Sequence, residues 1–518
     1  MKSRRQHLLS PFISAAMSVI PGFSTGVSTD SDIVVDSGSK KFTELHIPSQ
    51  SEWRVEIPFQ TVLKLNVVSG IAEIYGTELP NNVEMTFSGA KISIYAPQTE
   101  SNTGCTIKYT TGIKKSNQSG MSSGSNGSEN EITEYISEEE SSMVQNINLH
   151  FVLESIRQQT NEGPRVMVIG NSQSGKTSLL KTLAAYALKM DRSPILVNLN
   201  PQEGVYSLPG SLTATPISDM FEVESTNGWG NTTTSGVTFH NPKQPIVKNY
   251  GFEKFNENMD LYKYQVSKLG VAVMSRLEED AEVRQSGVLV DTPALTIKDF
   301  TIIENIVSDF EINMIVVIGN ERLVIELRKK FRHKVNNPLN IVKLTKSGGV
   351  VEVDEAFVRN LQQQTIREYF YGTLKSPLSP YNTNIDFKDL VIYKTVESSE
   401  FNPSLAFLPS GDDFTPEVDD SDMMDEGNGN RKSNEFSLDK YYSKVEEPDA
   451  SLLSNTILAI TQLPANDKSA KNLMNTSVMG YAYVSDVDDA KKKMRILLPV
   501  PGTLPRNILI VTGIRYIE

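Results

Sequence analysis

Residues 42–109 alternate apolar and polar positions in short runs that are broken by turns. The pattern is clearest in "EWRVEIPF", "VLKLNVVSGIAEIYG", "KISIYAP" and "CTIKYTTG". A period of two places successive side chains on opposite faces of a strand, which predicts an antiparallel sheet with one buried face. We therefore expect residues 38–112 to form a small β domain that resembles a sandwich.

The middle of the chain has a different rhythm, in which apolar runs alternate with amphipathic helical segments. Near-continuous apolar runs are typical of strands that are buried on both faces of a parallel sheet. The pattern predicts an α/β domain with a parallel sheet over residues 141–350. Its predicted strands are Val166–Gly170, Ile195–Leu199, Gly287–Asp291, Asn313–Gly319 and Asn340–Lys343, and its predicted helices include Lys176–Lys189 and Asp260–Leu277.

Strand-like patterning returns in the last third of the chain. After a helical segment at Val358–Gly372 come "DLVIYKTV", "SVMGYAYVSDVD", "KMRILLPVPG" and "ILIVTGIRYIE". These runs predict a C-terminal α+β domain over residues 351–518. The expected order of domains is therefore β, then α/β, then a second domain dominated by strands.

Three segments lack the apolar residues that a folded core needs. Residues 113–140 are rich in Gly, Ser and Asn and are predicted to be a low-complexity linker. Residues 410–435 are predicted to be a disordered acidic insertion, and residues 1–37 a disordered or misassigned N-terminus. The acidic run is predicted to be a solvated insertion rather than a binding tail.

Charge and composition exclude several classes of protein. The net charge is −13, and eight acidic residues with no basic ones lie between Asp412 and Glu426, so no broad basic face for nucleic acid is apparent. Cys105 is the single cysteine, which excludes a disulfide framework and a cysteine zinc site. The sequence has no run of 18 apolar residues, which disfavours a membrane span.

The strongest motif is the sequence from Gly170 to Thr177, which fits G-x-x-x-x-G-K-[ST]. It follows an apolar strand and opens a helix, so its backbone N–H groups are expected to face the phosphates of a nucleotide. Lys176 is expected to lie along the β- and γ-phosphates, and the Thr177 hydroxyl to bind Mg²⁺. The predicted binding residues of this loop are Gly170, Gln173, Ser174, Gly175, Lys176, Thr177 and Ser178.

A P-loop enzyme also needs a carboxylate at the end of a neighbouring strand. The second predicted strand ends at Asn200, which brings no charge and cannot act as a base, and no acid follows until Glu203. The third ends at Asp291, which could organise a metal or simply begin a turn before Thr-Pro. The absence of Asn-Lys-x-Asp after a later strand disfavours a GTPase.

The basic run Arg328–Lys334 fits a cationic lid, an RNA contact, an import signal or a solvated helix face.

These residues, together with longer stretches in all three domains, resemble the Clp / polynucleotide 5′-hydroxyl kinase family in its fungal form. The resemblance is carried by "SGIAEIYGTEL", "LHFVLESIR", "GPRVMVIGNSQSGKTSLLKTLAAYAL", "LPGSLTATPISD", "KQPIVKNYGFEKFNENMDLY", "TIREYFYG" and "LLPVPGTLPRNILIVTGIRYIE". Fungal members are subunits of the nuclear machinery for pre-mRNA cleavage and polyadenylation. Because members begin with Met and an early Pro-Gly pair, "MSVIPGF" at Met17 suggests that residues 1–16 are a misassigned start or an extension.

The resemblance implies a tightly held ATP with Mg²⁺, and an N-terminal domain that folds over the nucleotide. By position, Glu52 and Lys91 match the residues that reach the base. It also implies a partner, the scaffold subunit of the cleavage factor that contacts the C-terminal domain of RNA polymerase II. Other processing subunits and, indirectly, pre-mRNA are further implied partners, with no membrane.

The resemblance leaves three functions open, and no catalytic residue is assigned. The first is an RNA-processing subunit that binds ATP without consuming it. The second is a working polynucleotide 5′-kinase, since animal relatives phosphorylate RNA 5′-hydroxyls with an acid after the second strand and arginines in a lid. Fungal members usually keep an Asp where Asn200 stands. The third is an ATPase that remodels the complex.

Overall fold

The computed structural model describes most of the three predicted domains. Within the described part of the chain, no helix combines the length and the apolar character needed to cross a bilayer. The predicted N-terminal segment 1–37 and the acidic insertion 410–435 lie outside the described residues. The described ranges are 42–100, 103–114, 131–230, 245–332, 339–373, 375–397, 438–464, 467 and 469–518.

The N-terminal domain is a β-sandwich, as the alternating pattern predicts. One sheet has the order β1-β8-β3-β6 and the other β5-β4-β7-β2-β9, and their apolar faces enclose a core around Trp53. The strands are β1 (Thr43–Ile47), β2 (Glu52–Ile57), β3 (Thr61–Ser69), β4 (Glu73–Ile74), β5 (Thr77–Glu78), β6 (Met85–Phe87), β7 (Ala90–Tyr95), β8 (Cys105–Ile113) and β9 (Thr133–Ile136).

Strand β9 corrects the predicted linker of residues 113–140. Thr133–Ile136 pairs antiparallel with β2, and the side chain of Glu134 accepts a hydrogen bond of 2.9 Å from Trp53 Nε1. The linker prediction was therefore too long at its C-terminal end. The pattern "TEYI" is too short and too polar to signal a strand. Its residues are mostly exposed, and the paired strand β2 supplies most of the buried surface.

The central domain is built on a seven-stranded sheet with the order β13-β12-β11-β14-β10-β15-β16, in which the last five strands of this order are parallel. All five predicted strands are confirmed to within two residues at either end. The strands are β10 (Arg165–Gly170), β11 (Ile195–Asn198), β12 (Ser211–Pro216), β13 (Ile246–Asn249), β14 (Val288–Asp291), β15 (Met314–Ile318) and β16 (Asn340–Leu344). The helices are α1 (Met143–Gln159), α2 (Lys176–Lys189), α3 (Met259–Glu279), α4 (Ala281–Ser286), α5 (Phe300–Asp309) and α6 (Glu321–Phe331).

The two antiparallel strands β12 and β13 are not apparent in the sequence pattern. In "SLTATP" the polar residues Ser211, Thr213 and Thr215 are all buried, although buried strand positions are usually apolar. Ser211 donates its hydroxyl hydrogen to Leu208 O and Thr213 donates to Val205 O. Local backbone acceptors thus satisfy these hydroxyls inside the protein, which a period of apolar residues cannot reveal.

The C-terminal domain contains a second seven-stranded sheet with the order β17-β22-β21-β20-β23-β18-β19. Its apolar residues share one core with the central domain, and Lys248 Nζ donates to Asn475 O at 2.7 Å across the boundary. The elements are α7 (Glu355–Tyr371), β17 (Tyr381–Asp386), β18 (Val391–Thr395), β19 (Tyr442–Lys444), α8 (Ala450–Leu453), β20 (Thr456–Thr461), α9 (Ala470–Asn475), β21 (Val478–Asp488), β22 (Lys493–Leu498) and β23 (Ile508–Arg515).

The N-terminal domain docks on helix α2 through a buried carboxylate. Glu73, in the short hairpin of β4 and β5, accepts hydrogen bonds from Tyr186 OH at 2.6 Å and from Lys189 Nζ at 2.5 Å. Glu73 is 4% exposed, so its charge is held by these two donors and little water. The helix that begins at the P-loop is therefore in direct contact with the sandwich at its other end.

Replacing Glu73 should loosen this docking. A hydrogen bond to a charged group contributes about 1.5–3 kcal/mol, so Glu73→Gln should accelerate amide exchange in residues 73–78 by roughly tenfold to a hundredfold. Hydrogen exchange followed by mass spectrometry measures this. Glu78→Gln, on the exposed side of the same hairpin, is the control and should leave exchange unchanged. Equal exchange in both variants would contradict the docking role.

Candidate functional site

The P-loop joins the end of β10 to the start of α2 at the carboxyl edge of the parallel sheet. Gly175 immediately precedes α2 with φ of +89°, a conformation that favours glycine. A Cβ on Gly170 would lie 2.8 Å from Ser174 Oγ and 3.1 Å from Ile318 O, so a larger residue there would require both neighbours to shift. Helix α2 has no side-chain cap, which leaves the N–H groups of its first turn for an external acceptor.

Lys176 and Thr177, the first residues of α2, point to opposite kinds of partner. Lys176 Nζ donates to Asn171 O at 3.0 Å and to Gly170 O at 3.4 Å, so the ammonium lies over the loop. Thr177 Oγ1 lies 2.7 Å from Asp291 Oδ2, at the end of β14. The structure thus brings together the hydroxyl and the carboxylate that the sequence predicted as metal ligands.

Burial sets the electrostatics of this cluster. Asp291 is 1% exposed, and its burial, together with the nearby Glu203 carboxylate, raises its pKa to about 7. The Thr177 hydroxyl and the Lys176 ammonium act in the opposite direction. Burial also lowers the pKa of Lys176, against the attraction of Asp291 and Glu203. Two acids and two lysines, Lys176 and Lys181, therefore interact electrostatically at this site.

Glu203, which was noted in the sequence as the first acid after the second strand, is not among the predicted site residues. Its carboxylate oxygens lie 3.2 and 3.4 Å from Thr177 Oγ1, and Asn200 Nδ2 donates to Glu203 Oε1 at 3.1 Å. Asn200 is uncharged, as the sequence indicates. Glu203, three residues later, brings a carboxylate to the Thr177 hydroxyl. The available signal was that Glu203 is the first acid after the end of β11.

A cavity of about 350 Å³ lies between the sandwich and the P-loop. The N-terminal domain contributes Glu52 and Lys91, and the P-loop contributes residues 173–175 and Ser178. The two residues that the family resemblance assigns to the base therefore share one cavity with the P-loop, although more than 75 residues separate them from it in the sequence. This convergence makes the cavity a candidate nucleotide site.

Glu52 and Lys91 are held in place by neighbouring side chains. The Glu52 carboxylate, which is 4% exposed, accepts from Arg54 Nε at 3.0 Å, from Ser93 Oγ at 2.9 Å and from Ser141 Oγ. Lys91 Nζ is 2.9 Å from Glu56 Oε2. A side chain with fixed partners presents its remaining lone pairs or hydrogens in a defined direction, as recognition of a base requires.

The segment 345–353, between β16 and α7, closes the same cavity from a third side. Thr345, Ser347, Gly349, Val350, Val351 and Val353 line it. Gln173 Nε2 donates to Val353 O at 2.5 Å, and Gln173 has φ of +53°, an uncommon conformation for a residue other than glycine. The P-loop glutamine thus ties this segment to the loop, a role that the motif alone does not reveal.

A larger cavity of about 560 Å³ adjoins the other side of the P-loop, where Asn200, Glu203 and Thr177 line it. Its wall also contains Lys181 and Trp229, and the Lys181 ammonium lies 5.3 Å from the centre of the indole ring. Burial lowers the pKa of Lys181 to about 8. This cavity offers space, a cation and an aromatic face beside the acids of the P-loop.

The basic run lies in the last turns of α6, of which the structure describes Arg328 to Arg332. Arg328 Nη2 donates to Ile341 O at 2.9 Å, and Lys330 Nζ is 4.3 Å from the centre of the Phe300 ring. Among the described residues that line either cavity, Arg54 is the one arginine. The described basic residues of the run therefore stay on the helix surface, where cations also complement the helix dipole.

Three families of known domains match consecutive parts of this chain. "N-terminal beta-sandwich domain of polyadenylation factor" matches residues 46–160, "mRNA cleavage and polyadenylation factor CLP1 P-loop" matches 170–372, and "Pre-mRNA cleavage complex II protein Clp1" matches 378–518. The chain belongs to the CLP1 family of mRNA cleavage and polyadenylation factors. The family resemblance, the fold class and the P-loop domain predicted from the sequence are thereby confirmed.

Relatives in the CLP1 family match along their entire length. The mRNA cleavage and polyadenylation factor CLP1 of Debaryomyces hansenii is 60% identical, covering 97% of this chain and 100% of its own. The CLP1 of Scheffersomyces stipitis is 53% identical over 96% of this chain, and that of Saccharomyces cerevisiae strain S288c is 35% identical over 97%, each covering 100% of its own chain.

Two solved structures share the CLP1-family fold. A complex of wild-type Clp1p with a segment of Pcf11p has a TM-score of 0.76 and 34% identity, covering 93% of this chain and 99% of that one. A second structure, with the same TM-score and identity, describes an extended interface between Pcf11p and Clp1p and the basis of ATP loss in a glycine-to-arginine point mutant. It covers 93% of this chain and 100% of that one.

The lowered pKa of Lys181 has a measurable consequence for this CLP1-family chain. Because burial disfavours the charged amine, Lys181 should react with acetic anhydride with a pH midpoint of about 8, below the ordinary lysine value of 10.5. Acetylation across a pH series, read by mass spectrometry, measures the midpoint. The exposed Lys329 serves as an internal reference. A labelling midpoint for Lys181 above pH 10 would show that its ammonium is not desolvated.

Proposed function

We propose that this chain is the ATP-binding subunit of a nuclear pre-mRNA 3′-end cleavage and polyadenylation complex, that it is required for the cleavage step, and that it holds ATP without consuming it. One observation carries the proposal. The 350 Å³ cavity is walled by the sandwich and the P-loop together, so a nucleotide bound there contacts both domains. Such a ligand would add to the direct contacts between the domains, which include Glu73 with Lys189 and Thr86 N with Glu224.

The residues present suit a magnesium nucleotide. Residues 173–175 and Ser178 border both cavities and Lys176 lines the larger one, so a polyphosphate along the uncapped first turn of α2 can reach the ammonium. Glu52 and Lys91 can accept from the amino group and donate to a ring nitrogen of adenine. Asp291 Oδ1 is buried without a hydrogen-bond partner among the described residues. With the Thr177 hydroxyl it fits Mg²⁺, which binds through one or two carboxylates and phosphate oxygens and would neutralise phosphate charge.

Two features support retention of ATP over phosphoryl transfer. Asn200 stands at the strand end where active kinases of the family carry an acid, and an amide cannot take a proton from an attacking hydroxyl. Transfer also needs cations on the transferred group. The described arginines of α6 lie outside both cavities, with Arg328 bonded to Ile341 O.

The partner in this proposal is the scaffold subunit of the cleavage factor, which also contacts the C-terminal domain of RNA polymerase II. Support comes from the solved complexes of the related Clp1p with Pcf11p, which cover 93% of this chain at 34% identity. Contacts with other processing subunits and with pre-mRNA through them follow from membership of such a complex. Its location is then the nucleus.

The larger cavity favours a second candidate, a polynucleotide 5′-hydroxyl kinase. Lys181 and Trp229 face this cavity, and a cation beside an aromatic ring suits the phosphate and base of a single-stranded nucleic acid. In that case Asp291 would organise the metal. An ATPase that remodels the complex remains a third candidate, and product analysis separates all three.

Freshly purified protein should release ATP in near-equal amount to protein when it is denatured. Lys176→Ala should lose most of this ATP, since the lysine lies at the polyphosphate, whereas Lys329→Ala, on the exposed surface of α6, should keep it. Chromatography of the released nucleotide measures both. Incubation with 5′-hydroxyl RNA should yield no phosphorylated RNA. Transfer that Lys176→Ala abolishes would establish the kinase, and ADP as the main product would establish the ATPase.

A further inference from the structure

The loop that follows β11 is built to present one side chain. Asn198, which is 1% exposed, donates from Nδ2 to Glu203 O at 2.9 Å and to Asn200 O at 3.2 Å, and its Oδ1 accepts from Asn200 N at 3.0 Å. These three bonds fix the turn between residues 198 and 203. The buried side-chain amide of Asn198 therefore fixes the backbone position from which the Glu203 side chain extends.

Two carboxylates meet at one hydroxyl in the cavity that this loop borders. Thr177 Oγ1 lies 2.7 Å from Asp291 Oδ2 and 3.2 Å from Glu203 Oε2. A hydroxyl has a single hydrogen, so it can satisfy one of the two acids at a time. Two like charges in a partly dry site repel each other unless a cation lies between them. The Lys176 and Lys181 ammonium groups attract both carboxylates, but the hydroxyl between the acids can satisfy only one of them.

An independent observation points to the same cation. Asp291 is 1% exposed, and its Oδ1 is buried without a hydrogen-bond partner in the described part of the chain. Buried carboxylate oxygens are otherwise almost always bonded, so this oxygen lacks a ligand. The described residues contain no cluster of three or more His, Cys, Asp or Glu side chains, so they offer no site in which protein side chains alone would hold a metal. Two carboxylates and one hydroxyl instead suit Mg²⁺, which keeps several waters or phosphate oxygens as its other ligands.

We propose that Glu203 supplies the second carboxylate of the magnesium site, in place of an acid at position 200, and that Asn200 positions it. Asn200 Nδ2 donates to Glu203 Oε1 at 3.1 Å, which leaves Oε2 toward the Thr177 hydroxyl. A glutamate side chain is one methylene longer than an aspartate, and it reaches the hydroxyl from three residues further along the loop. The inference rests on the proposed nucleotide site, because Mg²⁺ is expected there together with ATP.

Exchanging the two side chains tests the inference in the full-length protein. The readout is the MgCl₂ concentration that half-saturates the ATP-induced rise in melting temperature, measured on nucleotide-stripped protein. Glu203→Gln should raise this concentration by roughly 10- to 100-fold, the usual effect of losing a group that supports a metal. The double variant Asn200→Asp with Glu203→Gln returns the carboxylate to position 200 and should recover most of the wild-type affinity. Glu253→Gln, on the wall of the same cavity, should have no effect.

A purely structural role for Glu203 predicts a different result. Removing one of two like charges should keep or raise the melting temperature of the nucleotide-free protein, whereas loss of a structural hydrogen bond should lower it. Should Glu203→Gln fail to fold, Glu203→Asp provides the same test, because the shorter side chain withdraws the carboxylate and should also weaken Mg²⁺ dependence.

The possible outcomes separate this inference from the proposed function. If ATP stabilises the wild type at no concentration of Mg²⁺, the proposed nucleotide site is wrong. If ATP stabilises the wild type in a Mg²⁺-dependent way and Glu203→Gln needs no more Mg²⁺ than the wild type, the role of Glu203 is wrong while the nucleotide site stands. If the double variant needs as much Mg²⁺ as Glu203→Gln alone, the proposal that Glu203 takes the place of an acid at position 200 is also wrong.

Discussion

The first turn of α2 carries backbone N–H groups that no side chain caps, and it is enclosed between two domains. The side chains of Asn258 and Asp354 accept from the first turns of α3 and α7, whereas Gly175 has no side chain that could do so for α2. Unsatisfied donors in an enclosed site are costly, and a polyphosphate satisfies several of them at once. The P-loop, the acids Asp291 and Glu203 and the N-terminal sandwich all lie around these unsatisfied N–H groups.

The sandwich meets the P-loop helix at two places that act differently. Near Lys189 the contact is complete within the protein, because Glu73 has its two donors. Near Ser178 the domains instead border a cavity, which Glu52, Lys91 and the segment 345–353 surround. A nucleotide there would add contacts that neither domain makes alone. Binding at 100-fold the dissociation constant adds about 2.7 kcal/mol of stability, a large share of the usual 5–15 kcal/mol.

The sequence predicted those parts of the fold and site that depend on local pattern. Strands β10, β14 and β15 are near-continuous apolar runs, and the motif from Gly170 to Thr177 lies at the strand–helix junction that its spacing requires. Glu52 and Lys91 were found through the family resemblance, since as single charges they carry no local signal. Strand β12 was missed because it alternates polar residues whose hydroxyls are buried, and the backbone acceptors that satisfy them are not visible in the sequence. Glu203 was missed because only the turn built by Asn198 brings it to Thr177.

We propose that the nucleotide braces the sandwich against the P-loop domain, and hydrogen exchange tests this most directly. Protein stripped of nucleotide should be compared with the same protein after addition of ATP and Mg²⁺. Exchange in β2, β7 and residues 345–353 should become slower on addition, while the C-terminal strand β21 should change little. Equal exchange in β2 and β7 with and without ATP would contradict the bracing role, whatever the affinity of the site.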